Sequence, residues 1–253
     1  MNLEGRKRAA HFFACALALF ALAHAARAAE TFKIQNVSTK YDLEVRLEGG
    51  CGGAEQDGVE NRCTGPATLR VFRKGEKTPF QTLRLPNVEL YKDTAAFSPE
   101  TNKKPRGLYE EEYSFVFDDF NFDGSEDLAV CNGREGGYAG PSYTVFLFDR
   151  RAGKFTENRR LTRLAGEGYL GLFLVDAKKK TLTAFTKSGC CYHETEVYKM
   201  VGGAPVLVEK VIEDAMSGDV PEGYVLVTTR RKVGRRWVVT RKKQKIDADE
   251  NNN

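Results

Sequence analysis

The chain is poor in the side chains that most hydrolytic and zinc chemistry needs. It has three histidines in 253 residues, and only His193 lies beyond residue 28. No C-x-x-C pair occurs, so a Cys/His zinc site lacks ligands. The longest apolar run, 12–23, is about a dozen residues, short of the ~20 that cross a bilayer as a helix. Beyond residue 28 no stretch sustains the 3.6-residue apolar period of a long amphipathic helix. A charge imbalance is missing too. Of 39 basic and 35 acidic residues, residues 1–28 hold Arg6, Lys7, Arg8, Arg27 and Glu4, leaving a single positive excess in the remainder. That overall balance does not call for nucleic acid or an anionic surface.

What is present starts with an export signal. A basic start at Arg6-Lys7-Arg8, the apolar run, and small residues around Ala25 and Ala28 mark residues 1–28 as a signal peptide. The protein is expected in the periplasm or secreted. Lipid anchoring through Cys15 is the alternative, disfavoured because Cys15 lies inside the apolar run. Residues 29–245 suffice for one core and are expected to form a single all-β domain. Residues 246–253 are a polar tail, expected to be disordered.

Five cysteines remain after cleavage, and an oxidising compartment favours bridges among them. Cys51 and Cys63 flank a Gly- and Asp-rich loop, and a disulfide there would contribute about 2–3 kcal/mol. Cys190 and Cys191 either bridge each other or send one partner to Cys131; an odd thiol remains in both cases.

Short apolar runs separated by turn residues fill the rest of the chain. Strands are expected in two runs across 31–47, broken at 36–40, and in a hairpin of 67–72 with 79–85. Further hairpins are 113–117 with 127–131, 143–148 with 154–164, and 169–175 with 181–186. The last two are 194–200 with 206–212, and 224–233 with 236–241. The polar stretch 94–106 reads as a surface connection. This spacing predicts an antiparallel all-β, β-propeller-like domain, with a β-sandwich as the alternative, since both need the same alternation.

The densest chemistry lies at residues 119–127, Asp-Phe-Asn-Phe-Asp-Gly-Ser-Glu-Asp. Calcium takes about six to eight hard oxygen ligands, and alternate residues supply them where a glycine bends the loop. Asp119, Asn121 and Asp123 would give side-chain oxygens, Ser125 its carbonyl and Asp127 a closing carboxylate. Position 12 is Val130, not the bidentate Glu of an EF-hand, and strand patterns flank the loop. The expectation is a Ca2+ loop between two strands. An Asx-turn hairpin without metal would use the same residues, but three carboxylates so close repel one another unless a cation lies among them.

The following segment has glycines at 133, 136, 137 and 140, with Tyr138 among them. So many glycines give backbone freedom, and a tyrosine offers large contact area at low entropic cost. It reads equally as a probe for a partner's cleft or as a mobile linker.

Residues 119–127, the run Gly136-Gly-Tyr-Ala-Gly-Pro-Ser-Tyr143 and the run Ser188-Gly-Cys-Cys-Tyr-His-Glu-Thr195 together resemble a family of exported bacterial calcium-binding proteins. Its members are related to immunity proteins of type IV secretion killing systems and to periplasmic inhibitors of invertebrate-type lysozyme. The calcium element also resembles the FG-GAP loops of integrin-type propellers. The resemblance covers about residues 110–215 and nothing in 29–105. It implies a propeller-like protein that blocks a lysozyme-like peptidoglycan hydrolase with a loop inserted into its cleft. Gly136, Gly137, Tyr138 and Gly140 fall on that loop, with Ser142 and Tyr143 completing it. The alternative is a calcium-stabilised envelope-binding or adhesion module without inhibitory activity.

Catalysis by the chain itself is not expected. A Cys191–His193 pair would share a strand face, but an exported cysteine there is expected in a disulfide. Glu110, Glu111, Glu112 and Asp118 form an acidic run of the kind that faces solvent rather than flanking a sugar. Residues 230–245 are basic, with Val233, Trp237 and Val239 interleaved. They read as a charged edge hairpin that resists aggregation, or as a contact for anionic envelope polymers.

Overall fold

The computed structural model describes residues 28–34, 37–49, 51, 62–91 and 114–246. Residues 1–27 with Cys15, the interior of the Cys51–Cys63 loop, the 94–106 connection, Glu110, Glu111, Glu112 and the residues beyond Ile246 lie outside the described residues. Among the described residues no helix is long and apolar enough to cross a membrane.

The described chain is nearly all antiparallel β-structure, in three sheets that follow sequence order. The first sheet contains β1 (Glu30–Ile34), β2 (Tyr41–Leu47), β3 (Arg62–Arg73) and β4 (Gln81–Tyr91). The second contains β5 (Phe115–Asp118), β6 (Asp127–Gly133), β7 (Ser142–Asp149) and β8 (Lys154–Glu157). The third contains β9 (Leu174–Asp176), β10 (Thr181–Ser188), β11 (Tyr192–Val201), β12 (Ala204–Asp214), β13 (Tyr224–Val233) and β14 (Arg236–Lys245). In each, every strand pairs with its neighbour in sequence.

The second sheet is the middle layer because it is apolar on both faces. Phe115, Phe117, Leu128, Val130, Phe146 and Phe155 pack against Leu43, Val45, Leu69 and Val71 of the first sheet. Val116, Ala129, Cys131, Tyr143 and Val145 face the other way, toward Leu182, Ala184 and Tyr198. A strand covered on both sides reads as a continuous apolar run. Leu128-Ala129-Val130-Cys131 is such a run, and all four are buried. Tyr41 centres the first core, stacking on Phe117 at 5.7 Å and meeting Phe155 edge-on at 5.2 Å.

Three expectations need correcting. Residues 154–164 are not one strand. After β8 the side chain of Asn158 accepts the Leu161 amide at 3.1 Å and starts a helix, α1 (Arg159–Leu164), as a good N-cap residue does. Of 169–175 only the end is strand, because the left-handed φ of Gly168 (93°) and Gly171 (83°) keeps the preceding backbone out of a ladder. The third strand begins at Arg62 rather than residue 67, crossing Pro66 by a register shift between Gly65 and Ala67. Proline is admitted to strands at such irregularities.

Cys51 and Cys63 are joined, as expected from their spacing. Cys190 and Cys191 bridge each other at the β10–β11 turn, leaving Cys131 as a buried thiol in β6.

Candidate functional site

Residues 119–127 join β5 to β6, and their side chains organise the loop's backbone. The two oxygens of Asp119 accept the amides of Asp123 at 2.9 Å and Gly124 at 2.7 Å. Asn121 Oδ1 accepts the Asp123 amide at 2.9 Å, and Asp123 Oδ1 accepts the Ser125 amide at 2.7 Å. Gly124 makes the sharp bend at φ 84°, and Phe122 also adopts a left-handed φ of 61°. Asp127 is fully buried. Its Oδ2 accepts the Phe120 amide at 2.9 Å and its Oδ1 the Phe148 amide at 2.8 Å, clamping loop to β7.

Phe120 anchors the loop from below. Its ring is fully buried and meets Phe173 edge-on at 5.4 Å. From the first sheet, Ser38 and Thr39 donate to the two oxygens of Glu126 at 2.5 and 2.9 Å.

A cation already attends this loop. Arg150, in the β7–β8 turn, donates to the Ser125 hydroxyl at 2.7 Å and to the Asp123 carbonyl. It also lies 3.4 Å from Asp123 Oδ1. Alternate turns of a meander fall at the same end of the sheet, which brings this arginine to the β5–β6 loop. Between them lies a depression of about 380 Å³, lined by Asn121, Asp123 and Arg150 among others. Partial burial would raise the Asp123 carboxyl, but the Ser125 amide and hydroxyl, the Asn121 amide and Arg150 hold it below the ordinary range. Burial pushes Asp127 up to about 7, against the opposing amides of Phe148 and Phe120.

The donor set fits calcium in kind: carboxylate and amide oxygens at alternate positions around a glycine bend. Among the described residues, however, no group of three or more His, Cys, Asp or Glu forms a metal-holding cluster. Backbone amides and Arg150 meet the loop's acceptors.

The Gly/Tyr loop joins β6 to β7 and therefore lies at the opposite end of β6. Six residue steps separate Asp127 from Gly133, roughly 20 Å along an extended strand. Gly137–Ala139 forms a tight turn, closed by the Gly140 amide donating to the Gly137 carbonyl at 3.0 Å. Tyr138 at φ 57° and Ala139 at φ 55° both sit in the left-handed region. Such strain in consecutive non-glycine residues costs about 1–3 kcal/mol each and is held by its surroundings.

Those surroundings are specific. The Gly137 amide donates to the Tyr169 carbonyl at 2.8 Å, and the Gly136 amide to the Gly140 carbonyl at 3.1 Å. A Cβ on Gly137 would come within 2.6 Å of the Gly168 carbonyl oxygen, and one on Gly136 within 2.8 Å of two carbonyl oxygens. The glycines thus permit close approach to the 166–171 segment. They are not there for freedom of motion. Tyr138 remains 62% exposed. Its hydroxyl accepts the Gly189 amide, and the Lys187 ammonium sits 4.8 Å from the ring centroid.

Ser142 and Tyr143 are placed differently. Both are buried. Ser142 bonds Asn132 Oδ1 at 2.6 Å and accepts the Glu135 amide at 3.2 Å, while Tyr143 belongs to the core between second and third sheets. They shape the loop's base and offer no accessible side chain, so of the Gly/Tyr run Tyr138 is the large side chain at the surface. Arg134 reaches the buried Glu89 at 3.1 Å, and Asn87 donates to the Asn132 carbonyl at 2.7 Å, tying that base to β4.

The partners of Tyr138 were not visible in sequence. Lys187, near the end of β10, and Gly189, in the β10–β11 turn, lie about fifty residues on, and nothing local marks them. His193 stands across from Lys187 in that hairpin, and Cys191 is held in its bridge rather than carrying a thiol.

No family model matches the chain, and no curated protein does. Among solved structures, a Xanthomonas type IV secretion system related protein has a similar fold. It aligns at a TM-score of 0.61 with 20% identity, covering 84% of this chain and 92% of that one.

Proposed function

We propose that the chain is an exported, non-enzymatic, calcium-binding protein of the immunity type, which inhibits a lysozyme-like peptidoglycan hydrolase. The observation that carries this is Tyr138: a large exposed ring, held in a strained backbone conformation and tied down at hydroxyl and ring face. A side chain fixed before docking loses little entropy on binding, and a tyrosine so presented is a typical energetic centre of an interface. The chain shares its fold with a type IV secretion system related protein, the kind of system to which the sequence resemblance also points. We also take the three stacked meanders as blades of a β-propeller-like domain, with each sheet packed face to face on the next.

Calcium would be held by Asp119, Asn121, Asp123, Asp127 and the Ser125 carbonyl, neutralising the loop's acidic oxygens. Because that loop and Tyr138 lie at opposite ends of β6, the ion would stabilise the domain rather than touch the inhibited enzyme.

Inhibition of an invertebrate-type lysozyme by the purified protein tests the proposal. Tyr138→Ala is expected to weaken inhibition by about thirtyfold or more, the effect of losing an interface centre, with melting temperature nearly unchanged. Undiminished inhibition by that variant would overturn the assignment of Tyr138.

A further inference from the structure

The last hairpin has a character the inhibitory loop does not explain. Between Tyr224 and Lys245 the sequence places nine Lys or Arg and no Asp or Glu. Only Arg231 among them is in an ion pair with a described carboxylate, Glu209, at 2.6 Å. β13 pairs with β12 only from Leu226 to Arg231, whereas it pairs with β14 out to Val233↔Arg236. Beyond Arg231 the turn end therefore parts from β12, which itself runs on to Ala204 beside β11. Every residue of β14 is exposed, and it is the sheet's last strand.

Apolar residues collect toward that turn end. Val233, Trp237, Val238 and Val239 are 59%, 38%, 49% and 50% exposed. Strand alternation puts Trp237 and Val239 on one face and Val233 and Val238 on the other, so cations flank apolar groups on both. The Arg230 guanidinium lies 5.6 Å from the Trp237 ring centroid.

A guard against edge-to-edge pairing explains the charges but not four exposed apolar residues at the tip. A soluble polyanion would likewise reward the cations and leave the valines wet. Both features together match an interface between headgroups and acyl chains. There cations meet lipid phosphates, while tryptophan and short aliphatic side chains enter the boundary. We infer that the β13–β14 hairpin docks on an anionic phospholipid bilayer, turn end first. This surface is separate from the Tyr138 loop and does not depend on the inhibitory function.

The chain has a single tryptophan, so Trp237 reports on the hairpin within the full-length protein. With vesicles containing phosphatidylglycerol, its emission is expected to shift to the blue and to be quenched by brominated acyl chains. Phosphatidylcholine vesicles should leave it unchanged, and high salt should reverse the effect. Arg235→Glu with Arg236→Glu is expected to weaken binding about thirtyfold or more. Val238→Ser with Val239→Ser should weaken vesicle binding while leaving circular dichroism unaltered. Should either pair lower the melting temperature, Lys242→Glu with Lys243→Glu repeats the test away from the turn. The inference fails if neutral and anionic vesicles act alike, or if bromolipid does not quench Trp237. It fails equally if soluble polyphosphate reproduces the whole spectral shift, or if the shift arises without lipid as the protein dimerises along β14.

Discussion

The hydroxyl of Tyr138 accepts the backbone amide of Gly189, so the exposed turn of the second sheet is fastened to the third beside the Cys190–Cys191 bridge. Removing only the hydroxyl separates this tether from the ring itself. Tyr138→Phe keeps the ring and its contact with Lys187, but frees the turn from its anchor. It is expected to bind the target enzyme about five- to tenfold less tightly, the worth of one neutral hydrogen bond, and less weakly than Tyr138→Ala. Equal losses in the two variants, measured by titration calorimetry, would show that the tether and not the ring governs binding.

Gly137→Ala tests the close approach. The added methyl would fall 2.6 Å from the Gly168 carbonyl oxygen, a backbone atom that moves only with its segment. Overpacking of this kind costs about 1–3 kcal/mol, expected as a lower denaturant midpoint at unchanged slope. Gly153→Ala supplies the comparison, since its Cβ meets no atom within 4 Å and only its left-handed φ of 63° resists.

Calcium binding is checked by melting with and without a chelator. A site filled to a hundred times its dissociation constant stabilises by about 2.7 kcal/mol, and Asp119→Ala should abolish the difference. Arg150 competes for Asp123, so Arg150→Gln is expected to tighten calcium binding. Identical melting of ion-loaded and ion-depleted protein would sink the metal assignment.

Acid sensitivity should trace to Glu196. Burial alone would raise this carboxyl, but the hydroxyls of Tyr198 and Tyr169 and the Lys210 ammonium, 3.1 Å away, hold it below the ordinary range. The folded pKa is the lower one, so its stabilisation is complete above the unfolded value of about 4.5. It is lost as pH falls from there through the folded pKa. Glu196→Gln should melt lower at neutral pH by the worth of a charged hydrogen-bond network, about 1.5–3 kcal/mol. Its stability should then fall less steeply than wild type below pH ~4.5.

Much of the fold was legible because strands announce themselves by alternation and by their turns. The boundaries of β2 and β13 and the β11–β12 hairpin follow the sequence closely. Alternation is a one-sided signal, however. Phe115 and Phe117, two residues apart, read as one buried face, while Val116 between them is buried against the other core. Helix α1 was hidden because Asn158 could equally begin a turn, and six residues are too few to display a period. The acidic loop was found from spacing alone, but Arg150 and Phe120 were not. One is brought by the meander's return, and the other is a loop residue whose ring turns inward. Tyr143 and Tyr138 look interchangeable in sequence, and only packing separates the pillar from the tip.

The middle sheet lends one face to each of two cores. A polypeptide stopped at residue 157 would leave Val116, Ala129 and Val145 bare to water, and one begun at residue 114 would strip the cover from Phe117, Val130 and Phe155. Each piece would expose one apolar face of the middle sheet and is expected to aggregate when expressed alone. The three layers are expected to stand as a trio.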